Sequence, residues 1–190
     1  MRVLITGGAG VLGSSLAELL VNMGFDVVVM DIIRPEEAWR LTPIISEIQY
    51  VWKSVESITR SDLRNIDLIF DCAIASADRP FGITSPLYTA LGNTLPPLYL
   101  LESIRHLDKK PIVIYPSSFN ALYGHNFNRF DENMLPLPTS VYGWSKASVE
   151  LLYRVYYYSY KVPIIITRTS SAFGPRGRSD ELPHKSVSYT

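Results

Sequence analysis

Tyr142 and Lys146, in the run Tyr142-Gly143-Trp144-Ser145-Lys146, stand four residues apart. A helix places side chains at that spacing on one face, one turn apart. A phenol beside an ammonium can act as a proton shuttle. The positive charge stabilises the phenolate and draws a tyrosine pKa down from its reference value of about 10 toward the pH at which an enzyme works. In a chain with 12 tyrosines, the same spacing also fits a plain surface pair on a helix. The elements that would position the pair decide between these readings.

The first such element is the N-terminus. Residues 2–6 (Arg-Val-Leu-Ile-Thr) read as a short buried strand, followed by Gly7-Gly8-Ala9-Gly10-Val11-Leu12-Gly13 and a helical pattern through Leu16, Leu19 and Leu20. Gly7 permits a tight turn, Gly10 lets the backbone approach a pyrophosphate, and Gly13 allows the helix to pack closely. The first-turn N–H groups at Val11, Leu12 and Gly13, with the positive end of the helix dipole, then face the phosphates. The spacing is Gly-x-x-Gly-x-x-Gly, not the more common Gly-x-Gly-x-x-Gly. A second strand, Asp26 to Met30, ends in Asp31, 21 residues after Gly10, where a carboxylate can accept hydrogen bonds from an adenosine ribose. The ordered combination predicts a dinucleotide site. Asp31 would repel a 2′-phosphate and so favours NAD over NADP, with Arg34 as a counter-indication.

A coarse pass predicts strands near 2–6, 26–31, 48–52, 67–73, 111–117 and 163–168, and helices near 11–23, 55–63, 94–107 and 140–160. Such alternation implies an α/β fold, a doubly wound parallel sheet with strand order 3-2-1-4-5-6. Ligands collect beyond the carboxyl ends of such strands, where the glycine turn, Asp31, Ala73 to Ala75, Ser117, Ser118 and Arg168 to Ser171 would converge. Pro96 and Pro97 are tolerated only in the first turn of a helix, which predicts a helix start near Thr94.

Composition bounds the partners. With 47% hydrophobic residues over 190 positions, the chain can bury one sizeable core. Eighteen basic and eighteen acidic residues cancel, so no global field favours nucleic acid or an anionic membrane. The single cysteine, Cys72, falls in a predicted buried strand and suits a reducing compartment. No apolar run approaches a membrane span or a secretory signal, which predicts a cytoplasmic location. His106, His125 and His184 have no metal-ligand spacing, so no metal site is expected.

Taken together, these residues resemble the extended short-chain dehydrogenase/reductase superfamily, in particular its NAD-dependent nucleotide-sugar epimerases and dehydratases. The likeness runs through nearly the whole chain. Beyond the glycine turn and the Tyr-Lys pair it includes residues 67–73 (Asp-Leu-Ile-Phe-Asp-Cys-Ala), Asn93 ahead of residues 98–102 (Leu-Tyr-Leu-Leu-Glu), Ser117-Ser118, Tyr123-Gly124, Glu150, Arg168 and Phe173-Gly174-Pro175-Arg176.

The resemblance implies that Tyr142 exchanges a proton with a substrate hydroxyl, that Lys146 holds the nicotinamide ribose, and that NAD is the cofactor. It places Gly7, Gly10, Val11, Leu12, Gly13, Asp31, Ala73, Ala75, Asn93, Tyr142 and Lys146 around that cofactor. A developing ketone also needs a hydrogen-bond donor, which the family supplies from a serine or threonine after the fifth strand. Counted back from Tyr123-Gly124, that position holds Phe119. Ser118, one residue early, is the preferred replacement, Ser117 the alternative, and a serine that only caps the strand end remains open.

Asn93 reads either as a cofactor-side hydrogen bonder or as a helix N-cap. Asp71 stands where the family often has histidine and is expected to be structural. Glu150 reads as a helix ion pair with Lys146, and Arg79 as a solvated surface residue. Tyr153, Tyr156, Tyr157, Tyr158 and Tyr160 cover more than one helix face, so part must be core and part exposed. The family pairs the helices equivalent to 94–107 and 140–160 into a four-helix bundle, so a homodimer is expected.

Residues 1–176 are read as the NAD-binding domain and 177–190 as the start of a substrate-binding region that is otherwise largely absent, as in a fragment or half of a split enzyme. Ser170 or Ser171 stands where the family often has asparagine, and Phe173 where it often has tyrosine. The leading expectation is an NAD-dependent epimerase/dehydratase acting on a nucleotide-activated sugar through a keto intermediate. The alternatives are a reductase of a small carbonyl compound and a dinucleotide-binding sensor without turnover.

Overall fold

Side chains that alternate in direction along the strands build two cores, one on each side of a sheet. In the computed structural model, which describes residues 1–75, 84–122, 131–170 and 176–177, six strands run parallel: β1 (Arg2–Thr6), β2 (Asp26–Asp31), β3 (Gln49–Trp52), β4 (Leu68–Asp71), β5 (Ile112–Ser118) and β6 (Ile164–Thr169). Their order is β3-β2-β1-β4-β5-β6, the predicted order. Val3, Ile5, Val27 and Val29 face α1 (Val11–Asn22), where Ala17 and Leu20 complete a core. Leu4, Val28, Met30, Ile69, Val113 and Tyr115 face the other way, onto α2 (Pro86–Arg105) and α3 (Val141–Tyr160), meeting Leu100, Leu101, Ile104, Val149 and Tyr153.

The register places β1 beside both β2 and β4, pairing Thr6 with Met30 on one side and Asp71 on the other. The carboxyl ends of the three strands thus line up at one edge. Two helix predictions need correction. Residues 55–63 form a 3-10 turn, Val55–Ser57, followed by turns. There Ser54 Oγ accepts from Glu56 N, and Asp62 accepts from Thr59 N and Oγ1; such local side-chain bonds compete with a helix.

The second correction is α2, which starts at Pro86 and carries Pro96 and Pro97 in its interior. The two missing N–H groups leave the Gly92 and Asn93 carbonyls without their helical donors. Thr94 Oγ1 donates to Ala90 O at 2.8 Å in the same turn. The helix persists because Pro97, Leu100, Leu101 and Ile104 are buried against the sheet, and tertiary packing supplies most helical stability in a folded domain. Two 3-10 segments, Pro35–Glu37 and Trp39–Ile44, fill the β2–β3 connection, which the periodicity did not predict. No helix among the described residues is long and apolar enough to cross a membrane.

Candidate functional site

The glycine turn owes its shape to close backbone approaches. Gly7 has φ +64°, and a Cβ there would lie 2.7 Å from the Ala73 backbone. A Cβ on Gly13 would fall 2.5 Å from Gly7 O, so this glycine seats α1 on the turn itself. One the composition did not single out is Gly8, whose Cβ would strike Val29 Cγ1 at 2.5 Å. Gly10 differs: its Cβ would meet only Gly7 O, at 3.1 Å, with open space beyond. As the N-cap of α1, Gly10 provides no side-chain cap, which leaves the first-turn N–H groups at Val11, Leu12 and Gly13 for an anion.

Asp31, buried at the end of β2, accepts from Ala9 N at 2.9 Å and from Ile33 N at 3.0 Å. Its carboxylate ties the glycine turn to the second strand and keeps lone pairs for a further donor. Arg34 lies over the Trp52 ring, 5.4 Å from its centroid. An open glycine, uncapped helix N–H groups and a carboxylate one strand over fit a dinucleotide's pyrophosphate and ribose.

Across the sheet edge, α3 begins at Ser140, whose Oγ accepts from Gly143 N at 3.0 Å, and it carries Tyr142 and Lys146 inward. Both are buried. Lys146 Nζ donates to Pro116 O at 3.1 Å and lies 6.0 Å from the Tyr142 ring centroid and 4.7 Å from that of Tyr115. Burial pushes the lysine down to about 8, against the opposing pull of Asp71, Cys72 and Glu150.

The tyrosine corrects an expectation. Burial holds the Tyr142 phenol above its ordinary value, and a hydrogen bond with Ser118 opposes that rise only in part. The ammonium stands 6.0 Å from the ring centroid and is engaged with a backbone carbonyl, so desolvation of the phenolate wins.

The serines separate by strand alternation. Ser118 meets Tyr142 and also accepts from Asn120 N at 3.2 Å. Ser117 points the other way and donates to Glu150 Oε1 at 2.5 Å. Glu150 is not an ion pair with Lys146: its carboxylate holds Arg168, with Nη2 to Oε2 at 2.7 Å. Arg168 Nη1 also donates to the carbonyls of Glu132 and Met134, which fastens the loop ahead of α3.

Asn93 lies inside α2 and is no N-cap. Its Oδ1 accepts from Ala75 N at 2.7 Å and its Nδ2 donates to Ser145 Oγ at 3.0 Å. Gly92 permits this approach, since a Cβ there would strike Ala75 Cβ at 2.4 Å. The turn after β4, through Ala73 and Ala75, is thereby fixed between the glycine turn and α3. Cys72 is half-buried as a residue, and burial raises its thiol to about 12.

Sequence reasoning missed the pair formed by Asp71 and Tyr153, and Ser145 as the bridge to Asn93. Tyr153 shares a helix face with Lys146 and Glu150, a signal legible in the spacing. Arg79, Tyr123-Gly124, His125, Ser171, Phe173 to Pro175 and His184 lie outside the described residues. Among those described, no three His, Cys, Asp or Glu side chains group as metal ligands.

A parallel 3-2-1-4-5-6 sheet with a glycine turn, an acidic second-strand end and a buried Tyr-Lys helix defines a doubly wound, dinucleotide-type domain. The chain belongs to the NAD dependent epimerase/dehydratase family, whose sequence profile matches residues 3–189.

Among curated relatives, an uncharacterized UDP-glucose epimerase of Bacillus subtilis is 30% identical over 197 residues, covering 98% of this chain and 61% of its own. A putative UDP-glucose 4-epimerase of Methanocaldococcus jannaschii is 27% identical over 175 residues, covering 92% and 57% respectively. Among solved structures, UDP-glucuronic acid 4-epimerase from Bacillus cereus, crystallised with NAD, superposes with a TM-score of 0.86 at 29% identity, covering 99% of this chain and 61% of that one. The chain thus spans about three fifths of the length of these relatives.

Proposed function

We propose that this chain is the cofactor-binding and proton-transfer part of an NAD-dependent epimerase/dehydratase acting on a nucleotide-activated sugar. The observation that carries the reading is the cluster of buried Tyr142 and Lys146 with half-buried Ser118, at the same sheet edge as the glycine turn and Asp31. Bound there, NAD supplies reversible hydride storage, which makes a transient keto sugar possible without net redox change. Gly10 and the N–H groups of Val11, Leu12 and Gly13 receive the pyrophosphate, and Asp31 the adenosine ribose. Ala73, Ala75 and Asn93 shape the wall between cofactor and α3.

Tyr142 Oη moves the proton of the sugar hydroxyl, Ser118 Oγ donates to the oxygen that becomes a carbonyl, and Lys146 supplies positive charge beside the phenol. Ser118 is favoured over Ser117 because Ser117 is consumed by Glu150. Phe119 follows Ser118 at the start of a 3-10 turn, so the donor sits at the strand end. Nothing favours the carbonyl reductase or the turnover-free sensor over this reading. Residues 1–176 are the cofactor domain in this proposal, and 177–190 begin the substrate-binding region; the greater length of the relatives supports that division. A cytoplasmic, NAD-supplied location fits the same reading.

A homodimer goes with it. Trp144, Leu151, Val155 and Tyr158 are exposed along one stripe of α3, and Leu87, Leu91 and Leu98 along α2, an apolar face that suits a second copy packed helix to helix.

The test is incubation with NAD and a panel of UDP-, GDP-, CDP- and dTDP-sugars, following both sugar isomers and nicotinamide absorbance. Isomer or dehydrated sugar without net absorbance change is the expected result. Stoichiometric change in absorbance points to the reductase, and binding with neither points to the sensor. Activity that survives Tyr142→Phe would contradict the mechanism.

A further inference from the structure

Asp71 ends β4 with no exposed surface, and each of its carboxyl oxygens takes a hydroxyl donor. Thr6 Oγ1 donates to Oδ1 at 2.6 Å and Tyr153 Oη to Oδ2 at 2.6 Å, and the backbone of Ala73 also draws on the carboxyl. The Tyr153 ring stacks on Tyr115 with centroids 4.9 Å apart and planes 14° from parallel. Lys146 Nζ lies 4.7 Å from the centroid of that same Tyr115 ring. Carboxyl, phenol, aromatic ring and ammonium therefore follow one another through the core behind the Tyr142 site.

A buried ammonium with one backbone acceptor among the described residues needs an anion nearby. The groups that face Lys146 are Tyr142 and Glu150 on α3, Tyr115 on β5, and Asp71 and Cys72 at the end of β4. Four of these supply no free negative charge near neutrality. Cys72 is raised to about 12, and burial raises Tyr142 and Tyr115 above their ordinary value. Glu150 is neutralised by Arg168. Asp71 is left. Burial holds its carboxyl above the ordinary carboxylate range, and Thr6, Tyr153, Lys146 and Ala73 oppose that rise in part. Tyr153 is itself held protonated, its phenol raised well above the ordinary value, so its hydroxyl keeps a hydrogen to give Asp71, and with the Thr6 hydroxyl it supplies one donor to each oxygen of a carboxylate.

We propose that Asp71, held by Thr6 and Tyr153 behind the Tyr115 ring, is the buried counter-charge that keeps Lys146 in its ammonium form. Asp71 is thus a positioning residue, acting through Lys146, and the inference rests on the catalytic reading of that lysine. Tyr153 shares the role, because its hydroxyl holds the carboxylate and its ring backs Tyr115.

Titration of protein carrying 13Cε-labelled lysine, followed by NMR, reads Lys146 directly; its resonance is the one lost in Lys146→Met. The expected midpoint is about 8 in the native chain. Asp71→Asn lowers it by about one pH unit, ten-fold in proton affinity. Tyr153→Phe keeps the ring, removes one donor, and lowers the midpoint less. Cys72→Ala leaves it in place. A folded Asp71→Asn protein with an unchanged midpoint overturns the proposal. Should Asp71→Asn not fold, an unchanged midpoint in Tyr153→Phe overturns it as well.

The pH profile of kcat/KM separates the two readings. An alkaline limb that moves with the Lys146 midpoint supports both. A midpoint that shifts while the limb stays fixed supports the Asp71 pairing and removes Lys146 from catalysis.

Discussion

Asn93 Nδ2 donates to Ser145 Oγ at 3.0 Å across the α2–α3 contact, while Asn93 Oδ1 holds Ala75 N. Through this one carboxamide, the turn after β4 and the Tyr142-Lys146 helix are set at a fixed separation. Ser145 Oγ keeps a second partner, Tyr142 O, at 2.8 Å.

Asn93→Ala should therefore cost more than Ser145→Ala. The first breaks both bonds and strands the part-buried Ala75 N–H, costing about 2–3 kcal/mol, and the second strands only the Asn93 Nδ2 donor and costs about 1–2 kcal/mol. Urea unfolding of both variants checks the order; a larger loss at Ser145 would contradict it.

The glycines divide by what a methyl group meets. Gly7→Ala and Gly13→Ala strain backbone against backbone and should lower stability by more than about 2 kcal/mol. Gly10→Ala should leave the thermal midpoint nearly unchanged and weaken NAD at least about ten-fold, since the methyl enters the pyrophosphate cradle. Thermal melts beside fluorescence titration with NADH measure both effects.

Ser117 and Ser118, adjacent in sequence, should part company when mutated. Ser117→Ala removes a buried bond to a charged carboxylate and costs about 1.5–3 kcal/mol. Ser118→Ala should leave stability within about 1 kcal/mol and lower kcat by about 10–100-fold. Denaturation and turnover on the responsive nucleotide-sugar read the two losses separately; the reverse pattern would move the donor role to Ser117.

Stability should rise and then fall on the alkaline side. Lys146 is lowered to about 8 from an unfolded value of about 10.4. Between those values the unfolded chain binds more protons, so this residue's contribution grows as pH rises. Tyr50, Tyr115, Tyr142, Tyr153 and Tyr156 are all raised, mainly by burial. Above about pH 10 the unfolded chain loses those protons first, and stability declines. Urea midpoints from pH 7.5 to 11 should show the maximum, and Lys146→Met should flatten its rising side.

The glycine turn, Asp31, the strand order and the Tyr142-Lys146 spacing were legible in the sequence, because each depends on local geometry: positive φ, side chains alternating along a strand, one helical turn. What required tertiary structure depends on burial and on partners distant in the chain. Pro96 and Pro97 argue locally for a helix start, yet packing of Pro97, Leu100, Leu101 and Ile104 carries α2 through them from Pro86.

Glu150 looks like a partner for Lys146 by spacing, but the fold delivers Arg168 from β6 and Ser117 from β5 to its carboxylate. Strand alternation aims Ser118 rather than Ser117 at Tyr142. Asp71 reads as one more strand residue until β1 and α3 bring Thr6 and Tyr153 to its two oxygens. The sequence alone determined which chemical groups and which backbone turns this protein has. Only the tertiary structure decided which are desolvated and which charges are already neutralised, because both follow from long-range packing and not from the order of residues along a strand or helix.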